Sequence, residues 1–380
     1  MLPSGLLLAV LTLFAPGGNA ALRAAEAASE VIESEQARFR VIEITDKLRH
    51  PWGMAFLPDG DLLVTERPGR LRRINDTGLE PESVAGVPKV FARGQGGLLD
   101  VALHPDFAEN RWLYLSYSAG RGRAVRTTVM RARLGPDGLA EQTVIFETSP
   151  PGRTDKHFGS RLAFGADGLL YVTLGERGER RRAQELGDHN GSVLRLNADG
   201  TIPEDNPFAG TPGAKPEIYS YGHRNPQGLA VQPETGLVFA HEHGPRGGDE
   251  LNLIEAGVNY GWPTISHGRE YTGGKIGVGS SAEGLAQPLW TWTPSIAPSG
   301  MSFYEGDAFP AWQGDLLVGA LKYELVVRLE IENGRVVGEE RLLERRLGRI
   351  RDVRTGPDGL VYVLTDERSG VLYRLEPVAP

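Results

Sequence analysis

One pattern of apolar and polar positions recurs along the chain. An apolar pair leads into a turn carrying Asp or Gly, and an alternating, β-rich run follows. It reads MAFLPDGDLLVTE from Met54, VALHPDFAENRWLYLSY from Val101 and LAFGADGLLYVTLGE from Leu162. It returns as LAVQPETGLVFAHE from Leu229, MSFYEGDAFPAWQGDLLVGA from Met301 and VRTGPDGLVYVLTDE from Val353. Period-two alternation on either side of a Pro-Asp-Gly-type turn predicts a hairpin each time. Six units at irregular spacings match one propeller blade each, plus insertions. One small sheet cannot bury both faces alone, and radial stacking solves this while protecting the edges. The expected fold is therefore all-β, a six-bladed β-propeller with long loops on one face. A pair of β-sandwiches is the alternative, but six copies are too many for one sandwich. The last copy lies near the C-terminus, so a strand near Phe39 to Ile44 is expected to close the ring. RLLERRL at 341–347 has helical propensity and is the segment least consistent with a strand.

Composition supports turns over helices, with 50 Gly and 26 Pro in 380 residues. Net charge is −8 with no long basic run, which argues against a nucleic-acid partner. The absence of Cys removes disulfides, thiolate nucleophiles and Cys-type zinc sites. Leu6 to Phe14 is a short apolar run, and Gly18-Asn19-Ala20 offers a small-residue cleavage site. Such a run is too short to span a bilayer and reads as a secretory signal over 1–20, although Lys and Arg are missing ahead of it. Residues 21–38 read as a solvated leader or short helix, and 39–380 as a single propeller domain. A periplasmic or secreted protein without a membrane span follows.

Two long insertions, at roughly 176–225 and 243–295, are expected to gather on one face, where loops on a rigid scaffold carry function. Tyr221 to Pro263 is the richest stretch in His, Arg, carboxylates and Gly. His157 stands just before the third repeat and suits a general base near neutral pH, or a structural histidine. Arg224, Asn225, Lys322, Arg349 and Arg351 occupy comparable blade edges, and convergent cations suggest a polyanionic small ligand. Arg349 and Arg351 alternate around Ile350 and are expected on one side. Gln95, flanked by glycines, adds a neutral donor and acceptor. Gly244-Pro245 carbonyls and nearby carboxylates are hard oxygen ligands suited to calcium. His241 and His243 lack an evident third ligand for zinc.

Taken together, GQGGLLDVALHP, HFGSRLAFG, YGHRNPQGLA, HEHGPRGGDELN, NYGWP and RIRDVRTGPDG resemble the soluble quinoprotein sugar dehydrogenases, the glucose/sorbosone dehydrogenase family, and within it the aldose sugar dehydrogenases. The resemblance spans roughly 39–376 and implies a six-bladed propeller, pyrroloquinoline quinone (PQQ) and Ca2+ as cofactors, and oxidation of an aldose's anomeric hydroxyl to the lactone. It implies that His157 takes the C1 hydroxyl proton, that hydride passes to the quinone, and that Arg224 stabilises the developing oxyanion. It assigns Gln95, Arg224, Asn225, Lys322, Arg349 and Arg351 to quinone binding. It assigns Gly244 and Pro245 to a catalytic calcium, and Glu250 and Tyr260 to a structural one. Where some relatives carry Asp near the catalytic His, this chain has Glu176, which leaves the orienting role open. Aldose sugars and an unidentified electron acceptor are the expected partners, and the chain is expected as a monomer or homodimer. A calcium-dependent lactonase and a non-catalytic binding propeller are the competing readings. Neither explains the cationic positions as directly.

Overall fold

The computed structural model describes residues 30–378. The signal segment 1–20 and the first half of the leader, 21–29, fall outside the described residues. Six antiparallel sheets form the blades. Blade 1 holds Pro51–Phe56, Leu62–Glu66, Arg70–Asn75 and Gly78–Leu79. Blade 2 runs from Leu98–Leu103 to Gly138–Glu147, blade 3 from Leu162–Phe164 to Ile218–Tyr221, and blade 4 from Pro226–Val231 to Trp290–Trp292. Blade 5 runs from Pro298–Phe303 to Arg335–Leu342. Blade 6 combines Ile350–Thr355, Val361–Thr365 and Gly370–Pro377 with the N-terminal strand Arg38–Leu48. The ring therefore closes as expected, with Phe39 opposite Pro377 and Leu48 opposite Gly370. Apolar faces of adjacent blades pack together, and Phe39 is fully buried among Tyr304, Phe309 and Trp312. Among the described residues the helical pieces are Phe107–Asn110, Arg180–Gln184 and Pro310–Trp312, all short.

Three local readings are refined. Ile32–Glu33, within the leader, forms a short strand on Arg38–Phe39 instead of standing free in solvent. The segment 341–347 is not helical: Arg341 and Leu342 end the outer strand of blade 5, where pairing to Val326 and Val327 overrides local propensity. The spans 176–225 and 243–295 are not pure loops, because they contain the two outer strands of blades 3 and 4.

The innermost strands share one design. Each repeat begins at the same level, and the residue just before it is Gly53, Asp100, Arg161, Gly228, Gly300 or Asp352 in blades 1 to 6. Five of the six strands break register with their neighbour near this level. Such bulges re-aim side chains at a barrel or propeller rim. The three large residues meet on the axis. Arg161 reaches Asp100 at 3.1 Å and Asp352 at 3.2 Å, and donates to the carbonyls of Gln227 at 2.8 Å and Arg351 at 3.2 Å. Its guanidinium also lies 4.1 Å from the Trp52 ring centroid. The glycines make room, since a Cβ on Gly53 would sit 2.5 Å from Asp100 Oδ1 and one on Gly300 1.7 Å from Asp352 Oδ1. Ion pairs, hydrogen bonds and the Trp52 contact thus plug the channel and tie five blades together.

Candidate functional site

A cavity of about 130 Å³ opens above this plug. All six blades contribute to its wall, which includes Trp52, Arg67, Gln95, Leu99, Phe158, Gly159, Asn225, Gln227, His243, Leu321, Arg349, Arg351 and Asp366. Each of these lies at the start of an innermost strand or just past the end of a second strand. Those two kinds of chain end open on the same face of an antiparallel blade, which is why residues so far apart in sequence converge.

Basic groups dominate the cavity. Arg351 donates to Asp366 with Nε at 3.2 Å and lies 2.9 Å away through Nη2, and Arg349 Nη2 lies at 3.1 Å from the same carboxylate. Arg349 and Arg351 therefore do share a side. Burial alone would raise the Asp366 carboxyl, but the two arginines outweigh it and hold it below the ordinary carboxylate range. With Arg67, the wall carries three guanidinium groups against one carboxylate. Lys322 stands outside the wall, exposed, its ammonium 4.9 Å from the Tyr323 ring centroid.

His157 sits beside this cavity, 9% exposed, in the left-handed region at φ 54°. Ser160 follows at φ 87°, so the turn stores strain of about 1–3 kcal/mol at each of these residues. Neighbouring amides hold it there. Gln95 Oε1 accepts the His157 N–H at 2.6 Å, Asn225 Oδ1 accepts that of Gly159 at 3.2 Å, and Gln227 donates to the Gly159 carbonyl at 3.2 Å. Gln95 and Asn225 thus fix the turn through oxygen and keep their amide NH2 groups for a ligand.

The His157 ring is oriented by Glu176, whose Oε2 lies 3.1 Å from Nδ1. A carboxylate only accepts, so Nδ1 carries the proton and Nε2 is the free base. Burial lowers the His157 pKa below its ordinary value, and the Arg224 charge adds to this against the raising effect of Glu176. Burial would raise Glu176 itself, but its bonds to His157 and to the Gly178 N–H keep it low. The longer arm of Glu in place of Asp is accommodated.

Arg224 leads into a second, much smaller space. It is lined by Arg224, Glu242, His243, Gly244, Gly248, Glu250, Tyr260 and Trp262, among others, and measures about 10 Å³. That is the room of one water or one ion. Arg224 is 7% exposed, donates to the His243 carbonyl at 3.0 Å and lies 5.4 Å from the Trp262 ring centroid. Glu242 is already committed, to His223 Nδ1 at 2.9 Å and to the N–H groups of Arg224 and Asn225. Glu250 has no cationic partner within 4.0 Å among the described residues, and burial followed by the Glu242 charge pushes its pKa well up.

Main-chain oxygens complete this space. Gly244 is held by its N–H on Asp249 Oδ1 at 2.8 Å, while Oδ2 of the same residue accepts from Ser295, Ile296 and Ala297. A Cβ on Gly244 would fall 2.2 Å from Gly247 O and 2.3 Å from Gly248 O, so the turn crowds carbonyls together. Pro245 is buried in the same turn but is not part of the wall. The Tyr260 hydroxyl donates to Leu253 O and accepts from the Glu255 N–H, so only its carbonyl is left to face a cation. Among the described residues no three His, Cys, Asp or Glu side chains cluster at metal-binding spacing. A cation here would rest largely on carbonyls, the hard-oxygen set that suits calcium. His241 is fully buried and His243 half-buried; desolvation pushes His243 down to about 3 while its Nε2 meets the Pro298 carbonyl at 2.6 Å.

Sequence reading missed Arg67, Asp366 and Glu242, and took Asp249 only as a nearby carboxylate, not as the group that holds the Gly244 turn. A signal was present: Arg67 and Asp366 follow the second strand of their repeats, in LLVTER and VYVLTD, as Lys322 does, one residue further on, after LLVGA.

The chain is similar throughout its propeller to known enzymes. It is 45% identical over 355 residues to the aldose sugar dehydrogenase YliI of Escherichia coli (strain K12), covering 92% of this chain and 96% of that one. It is 30% identical over 429 residues to quinoprotein glucose dehydrogenase B of Acinetobacter calcoaceticus, covering 90% and 88%. The crystal structure of the soluble E. coli aldose sugar dehydrogenase in its apo-form superposes with a TM-score of 0.86 at 46% identity, over 90% of this chain and 100% of that one. The PQQ-bound aldose sugar dehydrogenase of Streptomyces coelicolor gives 0.74 at 29% identity, over 90% and 99%. The glucose/sorbosone dehydrogenase family model matches residues 48–374, and with these coverages the chain belongs to that family.

Proposed function

We propose that this chain is a PQQ- and calcium-dependent aldose sugar dehydrogenase that oxidises the anomeric hydroxyl of an aldose to the lactone. The observation that carries the reading is a cavity lined by three guanidinium groups and one carboxylate, beside a histidine kept neutral and oriented. A small polycarboxylate would satisfy that charge surplus through forked, charge-assisted bonds. The quinone, when bound, supplies the two-electron acceptor, and calcium would add Lewis acidity.

The chain's own residues supply the rest. Nε2 of His157 takes the proton of the C1 hydroxyl while Glu176 holds the ring and stabilises the imidazolium that forms. Arg224 places a fixed cation where negative charge develops. Arg349 and Arg351 hold carboxylates, Gln95 and Asn225 donate through their amides, and Lys322 closes the rim as an exposed cation. Gly244, Glu250 and the Tyr260 carbonyl line one space with room for one ion and would hold a single calcium there, while the Pro245 carbonyl, outside that wall, would serve a second calcium on the quinone side. The apolar run at the N-terminus makes export to the periplasm or beyond part of the same proposal.

Reconstitution tests this. Apoprotein should reduce an artificial acceptor with an aldose only after PQQ and calcium are added, and the bound quinone's visible spectrum should change on adding sugar. Bound quinone with no turnover across an aldose panel would remove the sugar assignment. Lactone hydrolysis by quinone-free protein would favour the lactonase instead.

A further inference from the structure

Arg67 has a place in the large cavity and nothing to do there. Its main chain is fixed, with N–H on the His50 carbonyl at 2.9 Å and C=O accepting from Leu98 at 3.0 Å. Its guanidinium makes no hydrogen bond and no ion pair within 4.0 Å among the described residues, and its Nε is buried without a partner. The cavity's one carboxylate, Asp366, is occupied by Arg349 and Arg351. Burial lowers the Arg67 pKa; the Asp366 charge opposes this through space, without an ion pair within 4.0 Å, and the smaller effect of Arg351 adds to the lowering. A buried donor left unmade is costly, and the Arg351 charge adds repulsion that Asp366, already shared by two arginines, offsets only through space. A purely structural arginine would have found a carbonyl or carboxylate, as Arg161 does with four partners on the axis below.

We infer that Arg67 is an anchoring residue whose guanidinium fork takes one carboxylate of the quinone, in addition to the cations at Arg349 and Arg351. This rests on the quinone reading above. The fork geometry matters as much as the charge, since a planar guanidinium binds a carboxylate through two parallel bonds and an ammonium does not.

The test is equilibrium binding. PQQ is titrated into calcium-loaded apoprotein, and occupancy is read from quenching of intrinsic tryptophan fluorescence, Trp52 being part of the cavity wall. Thermal melts of the apoprotein run in parallel. Arg67→Met is expected to weaken binding by roughly ten- to a hundredfold, the loss of a charge-assisted pair. Its apoprotein should melt at the wild-type temperature or above, because no protein contact is lost. Arg67→Lys should fall between, and Arg67→Gln gives a second neutral variant should the Met variant not fold. Affinity in both neutral variants within about twofold of wild type, well inside one charged hydrogen bond, would overturn the inference alone. Equal losses in the Lys and Met variants with a lowered apoprotein melt would overturn it too, by showing a structural role. A wild-type protein that binds no PQQ would bring down the functional reading and this inference with it.

Discussion

Glu176 Oε2 stands 3.1 Å from His157 Nδ1, inside a turn that holds His157 in a left-handed conformation. The pair decides which imidazole nitrogen is basic and at what pH. Protonating His157 removes the base, so kcat/KM should rise with pH through its pKa and be level by neutrality. Burial places that pKa below the ordinary histidine value, so the midpoint of the acid limb is expected below about 6.5. His157→Gln should lower kcat by about 10²–10⁴-fold, with quinone binding retained. Glu176→Gln should lower the plateau and move the acid limb to still lower pH, because the carboxylate is the group that raises His157. An acid limb that moves upward would contradict this pairing.

Glu250 offers a different pH signature. Its carboxyl is raised by burial and by Glu242, so the folded apoprotein holds a proton there that the unfolded chain releases. From the ordinary carboxylate pKa upward the folded state binds more protons, and its stability falls until the raised pKa is passed. A cation removes this burden. Calcium at a hundred times its pH 8 Kd should stabilise the protein by about 2.7 kcal/mol at pH 8, and the same concentration should stabilise it less at pH 5, where Glu250 must first lose its proton. Glu250→Gln should stabilise the apoprotein at pH 8 and weaken calcium's effect. Melting curves with and without calcium, at both pH values, decide it; a calcium shift independent of pH would place the ion elsewhere.

The fold was legible in sequence because each blade writes its own hairpin. Met54, Val101, Leu162, Leu229, Met301 and Val353 all begin at the same level of an innermost strand. His157, Asn225 and Arg351 were legible for the same reason, since they stand at the mouths of those strands. Glu176, Arg67 and Asp366 were harder to read, because their roles depend on which second-strand ends face the axis. That is set by ring closure, a relation between residues some three hundred positions apart. The helical propensity of RLLERRL misled for the opposite reason: a paired neighbour strand outweighs local preference.

The axial ion pairs make a prediction about stability. Arg161→Met leaves Asp100 buried without its ion-pair partner and Asp352 with Arg354 alone, at 3.4 Å, a loss of about 3–5 kcal/mol. Gly300→Ala places a Cβ 1.7 Å from Asp352 Oδ1 and must displace the same carboxylate, at about 1–3 kcal/mol. Because both act on one cluster, the double variant should be less unstable than the sum. Gly210→Ala, with no atom within 4 Å of its Cβ, is the neutral control. Denaturant titrations measure all four. Strict additivity would mean that Gly300 and Arg161 do not share the cluster.

Phe39 tests whether ring closure and the site are separable. It is fully buried and packs edge-on against Phe309, at 6.2 Å between centroids, and against Trp312, at 5.9 Å. It lies where the closing strand meets Pro377, whereas Asp366 lies near the opposite end of that pairing, by Gly370 and Leu48. Phe39→Ala should therefore cost about 3–5 kcal/mol of stability through the cavity it leaves. Quinone affinity should not change while the protein remains folded, because blade 6 still pairs along the rest of Arg38–Leu48 and still presents Arg349, Arg351 and Asp366. Denaturation midpoints and quinone titrations at a temperature well below the melt separate the two effects. An affinity that falls in step with stability would show that the closing strand sets the geometry of the cationic wall as well as sealing the ring.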